Sequence, residues 1–331
     1  MSSKERGTSR QRISVAMCTF NGGRYLQEQL ESIASQSCVP WELVVCDDHS
    51  IDDTIAILKR FQADAPFAVR IVQNAMRIGS TRNFDQAIGL AGGDFIALCD
   101  QDDRWLPTKL ELQARALNDN PFLGGVFSDA DLVDGESRPT GIRLFARHKF
   151  TRAKQQDFVC SPTSTLLKHD VVTGATLMFR ASIRRYCSPI PATWVHDGWL
   201  AWMIVLHSRL TLIPQPLIQY RIHAGQQLGV GGAGSAQAAT GKRESRREHY
   251  ARVARQFEDL LGRVLAEGWS KHDCLVERIQ AKIAFLKRQS ALSQSLGVRT
   301  MQMLGLLPDY LHYARGLGSL RTDLLLGREM Q

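Results

Sequence analysis

The stretch Ile96-Ala-Leu-Cys-Asp100-Gln-Asp102-Asp103-Arg-Trp105 decides the fold. An apolar run of this length bounded by polar residues is a buried strand, so its carboxylates sit at the C-terminal tip. Ligands of open α/β sheets bind at such tips. Acids crowded together repel one another unless a cation lies between them, and carboxylate oxygens suit hard ions such as Mg2+ or Mn2+. The expectation is a metal site for a phosphate-bearing substrate.

Upstream, the strand-then-helix pattern repeats. Ile13-Ser-Val-Ala-Met-Cys18 is a first apolar run, and Tyr25, Leu26, Leu30, Ile33 and Ala34 follow at helical spacing. The run Glu42–Cys46 ends in Asp47-Asp48-His-Ser50, and Asp52-Asp53 open a helix through Ile55, Leu58 and Phe61, where acids suit the positive end of the helix dipole. A strand at Val69–Val72 and a helix on Phe84, Ala87, Ile88 and Ala91 complete the series, stopped by Gly92-Gly93. This alternation predicts an α/β fold, a Rossmann-like, mainly parallel sheet with helices on both faces. No GxGxxG follows the first strand, so a dinucleotide-binding reading has little support.

Downstream, Pro107 fits the first turn of a helix carrying Leu110, Leu112 and Leu117, and Gly124–Ser128 is strand-like. Residues 135–170 are weakly patterned and predict a long loop region, which in compact domains usually serves binding. A strand at Ala175–Phe179 precedes His196-Asp197-Gly-Trp199 and a helix rich in Trp and Leu; a short strand Leu210–Ile213 leads through Pro214 to Tyr220-Arg221-Ile-His223. Residues 1–11 predict a disordered tail and 226–243 a flexible glycine-rich loop. The remainder, 244–331, predicts a helical C-terminal region, with Ser270 and Asp273 resembling a capping box between two of its helices.

The chain of 331 residues carries 41 basic against 33 acidic residues, a net charge of +8 that favours anionic partners. The aromatic residues do not interleave with the basic ones, so nucleic acid is not an expected partner. Seven cysteines with no CxxC or Cys/His zinc spacing fit reduced thiols. The polar start lacks the apolar core of a signal peptide, and no apolar stretch approaches the ~20 residues that span a bilayer. A cytoplasmic protein is expected, with peripheral contact at the cytoplasmic face of the inner membrane left open for the leucine-rich and arginine-bearing C-terminus.

Three segments occur in order at strand ends: Thr19-Phe-Asn21-Gly, Asp47-Asp48-His-Ser50-Ile-Asp52-Asp53-Thr54 and Asp100-Gln-Asp102-Asp103. Together they resemble the inverting GT-A glycosyltransferases of family two. Ala97–Trp105, His196–Trp199 and Tyr220–His223 look most like bacterial rhamnosyltransferase-type members, and the resemblance covers residues 13–230. It implies a GT-A domain at 12–225, with a nucleotide-binding part at 12–105 and an acceptor part at 106–225.

The resemblance also implies roles. Thr19 and Asn21 belong to the nucleotide-binding loop, and Asp48 accepts from the imide N–H of a uracil or thymine, a contact only a ring bearing that proton can make. Asp100 lies near the ribose, Asp102 binds the metal, Mn2+ or Mg2+, and Asp103 assists either or holds the turn. Arg82 faces the diphosphate, and His223 touches the metal or a phosphate. Asp197 is the base that takes a proton from the acceptor hydroxyl; Trp199, His196 and Arg221 are assigned to sugar or acceptor. The implied partners are a dTDP- or UDP-linked sugar donor, with rhamnose first, and a glycan or lipid-linked acceptor of bacterial surface-glycan assembly.

Competing uses remain open. Capping of the following helix serves Asp47 and Asp48 equally well and is the preferred use of Asp52 and Asp53, and Trp199 and Trp202 also fit a core. Within the same fold, UDP-hexose or galactofuranose transfer is the alternative. A prenyl-diphosphate synthase needs its acids on facing helices, and a phosphoacceptor receiver is much shorter. A non-catalytic sugar-nucleotide-binding scaffold would bind donor and transfer nothing.

Overall fold

The computed structural model describes residues 11–223, 244–293, 295–314 and 317–325. The tail at 1–10 and the glycine-rich loop at 226–243 lie outside the described residues. Packing divides the chain into two units, the first comprising the described part of Met1–Val159 with Val172–Ile190 and Val195–His223.

In the first unit, strands β1 (Ile13–Thr19), β2 (Glu42–Asp47), β3 (Ala68–Gln73) and β4 (Phe95–Cys99) pair in parallel in the order β3-β2-β1-β4. Both β1 and β4 are buried along their whole length, which is why they appear in the sequence as unbroken apolar runs. Helices Leu26–Ala34, Thr54–Asp64 and Ser80–Leu90 make the crossovers. Each brings the chain back so that every strand ends at the same edge of the sheet.

The second half adds antiparallel neighbours to the parallel ones. Strands β5 (Arg104–Trp105), β6 (Leu123–Val133), β7 (Pro139–Arg143), β8 (Leu177–Arg180) and β9 (Arg209–Arg221) extend the order to β3-β2-β1-β4-β8-β6-β9-β5, with β7 on β6. Here β6 and β9 pair in parallel, whereas β8 runs antiparallel to both β4 and β6, β7 to β6, and β5 to β9. Antiparallel neighbours need no helical crossover, so this half carries no repeating strand-helix signature. The sheet is mixed, with helices on both faces.

Two expectations change. Residues 135–170 are not a long loop: they hold β7 and the helices Leu144–Arg147, Arg152–Cys160 and Pro162–Leu166. In the first unit, Phe127 meets Phe145 at 5.7 Å and Phe158 at 5.4 Å, both edge-on, in a cluster with Phe150. The short elements close around these rings without any regular period. The strand expected at Leu210–Ile213 runs on through Pro214 and Pro216, and its pairing with β6 shifts register between Ser128 and Asp129, opposite the prolines.

The second unit comprises Cys160–Val171, Pro191–Trp194 and the described part of Ala224–Gln331. Helices Arg246–Ala266 and Cys274–Ser290 bury Phe257, Leu260, Val264, Val276, Ile279 and Ile283. Shorter helices at Leu296–Gly305, Leu307–Tyr313 and Leu317–Leu324 add a cluster of Phe285, Leu292, Met303, Leu306 and Tyr310. The capping box is Ser245 with Glu248, both bonds present, rather than Ser270 with Asp273. Ser270 N–H donates to the Asp273 carboxylate at 2.6 Å, but no side chain caps the helix that follows.

Asp323 is the polar centre of this unit. It is fully buried and accepts from Arg246 Nη1, the Tyr250 and Tyr310 hydroxyls and Gln289 Nε2 at 2.5 to 2.9 Å. Among the described residues, no helix is long and apolar enough to cross a membrane.

Candidate active site

The loop after β1 is fixed by its neighbours. Four successive backbone N–H groups donate to side chains: Phe20 to Gln101 Oε1 at 2.8 Å, Asn21 to Ser50 Oγ at 2.9 Å, Gly22 to Thr54 Oγ1 at 2.8 Å and Gly23 to Asp52 Oδ2 at 3.0 Å. Gln101 also donates from Nε2 to the Phe20 carbonyl at 3.1 Å, so its amide grips one peptide at both ends. A Cβ on Gly22 would lie 2.2 Å from Gln101 Oε1, which explains a glycine there. Asn21 takes a left-handed φ of 48° and accepts from Ile51 N–H at 3.0 Å.

Thr19 and Asp47 tie β1 to β2. Thr19 Oγ1 donates to Asp47 Oδ1 at 2.8 Å, and Asp47 also accepts from Ser50 N–H and Oγ–H. Both side chains are buried. The Asp52 carboxylate holds Thr54 through its N–H and hydroxyl, whereas Asp53, which precedes the helix, makes no capping bond.

Asp48 departs from the expected open receptor for a base. It is 2% exposed, and its oxygens accept from Ile78 N–H at 2.7 Å, Gly79 N–H at 2.9 Å and Asn74 Nδ2 at 3.3 Å. As folded, it anchors the loop before helix Ser80–Leu90. Arg77 on that loop stacks over the Phe20 ring at 3.9 Å and reaches to 3.9 Å from Asp48. Arg82 is exposed in the first turn of the helix.

The acids after β4 take distinct positions. Asp103 is fully buried; its Oδ1 accepts from Arg221 N–H at 3.0 Å, and its Oδ2 has no hydrogen-bond partner among the described residues. Burial and the neighbouring Asp102 and Asp100 charges push its carboxyl well above the usual range. Asp102 Oδ2 lies 2.9 Å from His223 Nε2, whose ring packs 4.8 Å from Tyr25. Burial first, then the charges of Asp102 and Asp197, push Asp100 up to about 8. Asp197, delivered by helix His196–His207, is thus an electrostatic neighbour of Asp100 although it is remote in sequence.

Asp197 is oriented by two backbone donors, Gly198 N–H at 2.7 Å and Gly174 N–H at 3.2 Å. Burial raises its pKa, opposed by those two bonds. A carboxylate with a raised pKa is the better proton acceptor.

Three assignments to sugar or acceptor are corrected. Trp199 is 1% exposed and donates from Nε1 to the Cys187 carbonyl at 2.7 Å, so its ring faces the core rather than a ligand. His196 is buried, stacked on Phe84 at 3.8 Å, and burial lowers its pKa to about 3. Arg221, 1% exposed, donates from Nε to the Asp102 carbonyl at 2.7 Å and from Nη1 to Ser137 Oγ at 2.7 Å, and pairs with Glu28. Its guanidinium braces the turn that carries Asp102 and Asp103.

Asp102 and His223 supply carboxylate oxygen and imidazole nitrogen, a donor pair that suits Mn2+ and admits Mg2+. Among the described residues no group of three or more His, Cys, Asp or Glu forms a ligand cluster. Such a pair fits an ion that completes its shell with substrate phosphates and water, as Mg2+ commonly does.

The family model described as Glycosyl transferase family 2 matches residues 14–186, more than half of the chain. This chain belongs to that family. Relatives similar to it include WfgD of Escherichia coli, a UDP-Glc:alpha-D-GlcNAc-diphosphoundecaprenol beta-1,3-glucosyltransferase, 31% identical over 38% of this chain and 48% of WfgD. The chain therefore spans about half the length of that curated relative. Among solved structures, TarS of S. aureus in complex with UDP-GlcNAc is 18% identical, with a TM-score of 0.55 over 96% of this chain and 89% of that one. A Pyrobaculum calidifontis mannosyltransferase in complex with GDP-Man and Mn2+ gives 18% identity and a TM-score of 0.54 over 97% and 87%. These two likenesses establish a shared GT-A-type fold.

Three residues of the candidate site carry little signal in the sequence. Gln101 stands within the acidic segment but carries no charge. Arg77 has no signal beyond its charge. Gly174 is required because a Cβ there would meet His196 Nε2 at 2.6 Å, and no local pattern announces that approach.

Proposed function

We propose that the chain is a metal-dependent inverting glycosyltransferase that moves a sugar from a nucleoside-diphosphate donor to an acceptor of bacterial surface-glycan assembly. The observation that carries the reading is the placement of the acids, with the charges of Asp102, after β4, and of Asp197, from a distant helix, both acting on Asp100. The acceptor hydroxyl attacks the anomeric carbon as the bond to the leaving diphosphate breaks, and Asp197 takes the hydroxyl proton. Gly174 and Gly198 N–H groups hold that carboxylate in position. On this reading Asp100 contacts the ribose, and Arg77 and Arg82 are the cations for the diphosphate. Asp102 and His223 would hold a divalent cation, which when bound neutralises charge on the departing diphosphate; the Mn2+ named with the mannosyltransferase supports this.

For the donor, dTDP-rhamnose follows from the sequence resemblance, whereas UDP-hexose gains support from the UDP-sugars named with TarS and WfgD. Base reading by Asp48 requires the contacts to Ile78 and Gly79 to share their oxygens with the ring. A lipid-linked acceptor is supported by the diphosphoundecaprenol acceptor in the name of WfgD. It also accords with the exposed Leu296, Met301, Leu304, Leu307 and Leu311, an apolar set suited to peripheral contact with a membrane at its cytoplasmic face.

The test is a panel of dTDP- and UDP-sugars assayed for binding and slow donor hydrolysis with Mn2+ or Mg2+. At least one is expected to respond in a metal-dependent way; silence from all of them overturns the reading. Donor binding without transfer or hydrolysis would favour a non-catalytic scaffold.

A further inference from the structure

We infer that the second unit holds an anion site of its own, a pocket for a phosphate or diphosphate group built from Lys168, Arg278, His312, Ser164 and Tyr313. These residues line one cleft of about 360 Å3. The lining supplies three basic side chains and two hydroxyls, and no carboxylate.

Among the described residues no neighbouring carboxylate pairs with the Lys168 or Arg278 charge of this lining. Arg278 Nη2 donates to Ser164 Oγ at 2.9 Å, so a neutral hydroxyl rather than an acid positions the guanidinium. Other basic residues on the same helix, Cys274–Ser290, are paired: Lys287 with Glu258 at 2.6 Å and Arg288 with Asp309 at 3.5 Å. Asp309 is the acid felt by Tyr313, and it is already engaged by Arg288.

The wall of the cleft is braced. The Tyr313 carbonyl accepts from Lys282 Nζ at 2.7 Å, and its ring lies 6.1 Å from Phe285 of the buried cluster. A guanidinium binds phosphate through paired N–H groups, lysine adds a point charge, and hydroxyls satisfy remaining oxygens. The volume lies at the small end of the roughly 300–1,000 Å3 typical of ligand sites, a size for a diphosphate with a short appended group.

Such a group comes either free in solution or as a lipid headgroup. Leu307 and Leu311, 41% and 60% exposed, share a helix with His312 and Tyr313 and would meet an attached chain. The site is independent of the glycosyl-transfer reading, and its test keeps the two apart.

Full-length protein is titrated calorimetrically with inorganic pyrophosphate in EDTA, which silences metal-dependent binding. Binding is expected, weakened about ten-fold or more by Arg278→Gln and by Lys168→Gln, in line with loss of one charge-assisted bond, and unchanged in Asp102→Ala. No binding by the unmodified protein, wild-type affinity in both pocket variants, or loss in Asp102→Ala overturns the proposal. Lys168 is exposed, so its variant keeps the test informative if Arg278→Gln misfolds. In a second arm, phosphatidylcholine vesicles carry farnesyl diphosphate. Tighter retention than free pyrophosphate that Leu311→Ser removes assigns the pocket to a lipid headgroup; equal affinity untouched by Leu311→Ser assigns it to a soluble ligand.

Discussion

At the residue scale the site separates two jobs that composition alone would merge, because Asp102 and Asp197 are both carboxylates of one cleft. Asp102 is paired with His223 at 2.9 Å, whereas Asp197 faces backbone donors and has its pKa raised by burial. Asp102→Ala should abolish metal-dependent donor binding. Asp197→Asn preserves shape and one of the two backbone bonds, its amide nitrogen being unable to accept the other, and it cannot take a proton, so it should keep donor affinity within about three-fold while transfer falls by about a hundred-fold or more, the usual worth of a general base. Donor titration followed by single-turnover transfer separates the outcomes; normal transfer in Asp197→Asn would place the base elsewhere. His196 offers a second reading at this scale. Its folded pKa of about 3 lies below the ordinary 6.5, so the unfolded chain binds the extra proton and stability present above pH 6.5 is lost as pH falls toward 3. His196→Phe, stacking on Phe84, should flatten that decline by up to ~1.4 kcal/mol per pH unit. Urea unfolding of both proteins at pH 7.5 and 5 measures the difference, and parallel declines would refute it.

At the element scale, function depends on loops held by side chains from other loops. Gly22 has no Cβ because Gln101 occupies that space while gripping Phe20. Gly22→Ala should push Gln101 out of both bonds, loosen the loop after β1 and raise KM for donor about thirty-fold, consistent with losing two hydrogen bonds of ~1 kcal/mol each. Its kcat should change far less, because Asp197 sits on another element; a kcat loss with unchanged KM would contradict this. The same scale explains what the sequence made legible. β1, β2 and β4 appear as apolar runs because parallel strands are buried on both faces, and the acids at their tips mark one edge. In the other half the strands at 124–128, 175–179 and 210–213 are legible, but their partners are not, because Phe127, Phe145, Phe150 and Phe158 share a cluster without sharing a period. Asp102 and His223 were legible as candidates by type, but their pairing is made by β9, which returns the chain to that edge. Trp199, His196 and Arg221 misled because polar and aromatic residues beside Asp197 and His223 can equally be packing and bracing, and only burial tells them apart.

At the scale of the whole molecule, the second unit carries a buried charge that its short helices could not otherwise organise. Asp323 gathers Arg246, Tyr250, Gln289 and Tyr310, so it joins the helix Leu317–Leu324 to three others within the unit. Burial, with the Asp323 charge and its hydrogen bonds, raises both tyrosine pKa values far above normal and keeps the two hydroxyls as donors. Removing the acid leaves the Tyr250, Tyr310 and Gln289 donors without their acceptor, at a cost of about 1–3 kcal/mol for a buried group left unpaired. Asp323→Ala should therefore lower the stability of this unit by that order, with exposure of its helices to limited proteolysis. Asp48, Asp100, Asp102, Asp197 and His223, the residues proposed for donor and metal, all belong to the first unit, so Asp323→Ala should leave metal-dependent donor binding intact at temperatures where the second unit has melted. Proteolysis followed by donor titration of the same sample tests both halves of the statement. Concurrent loss of donor binding and protease resistance would mean that the two units unfold as one.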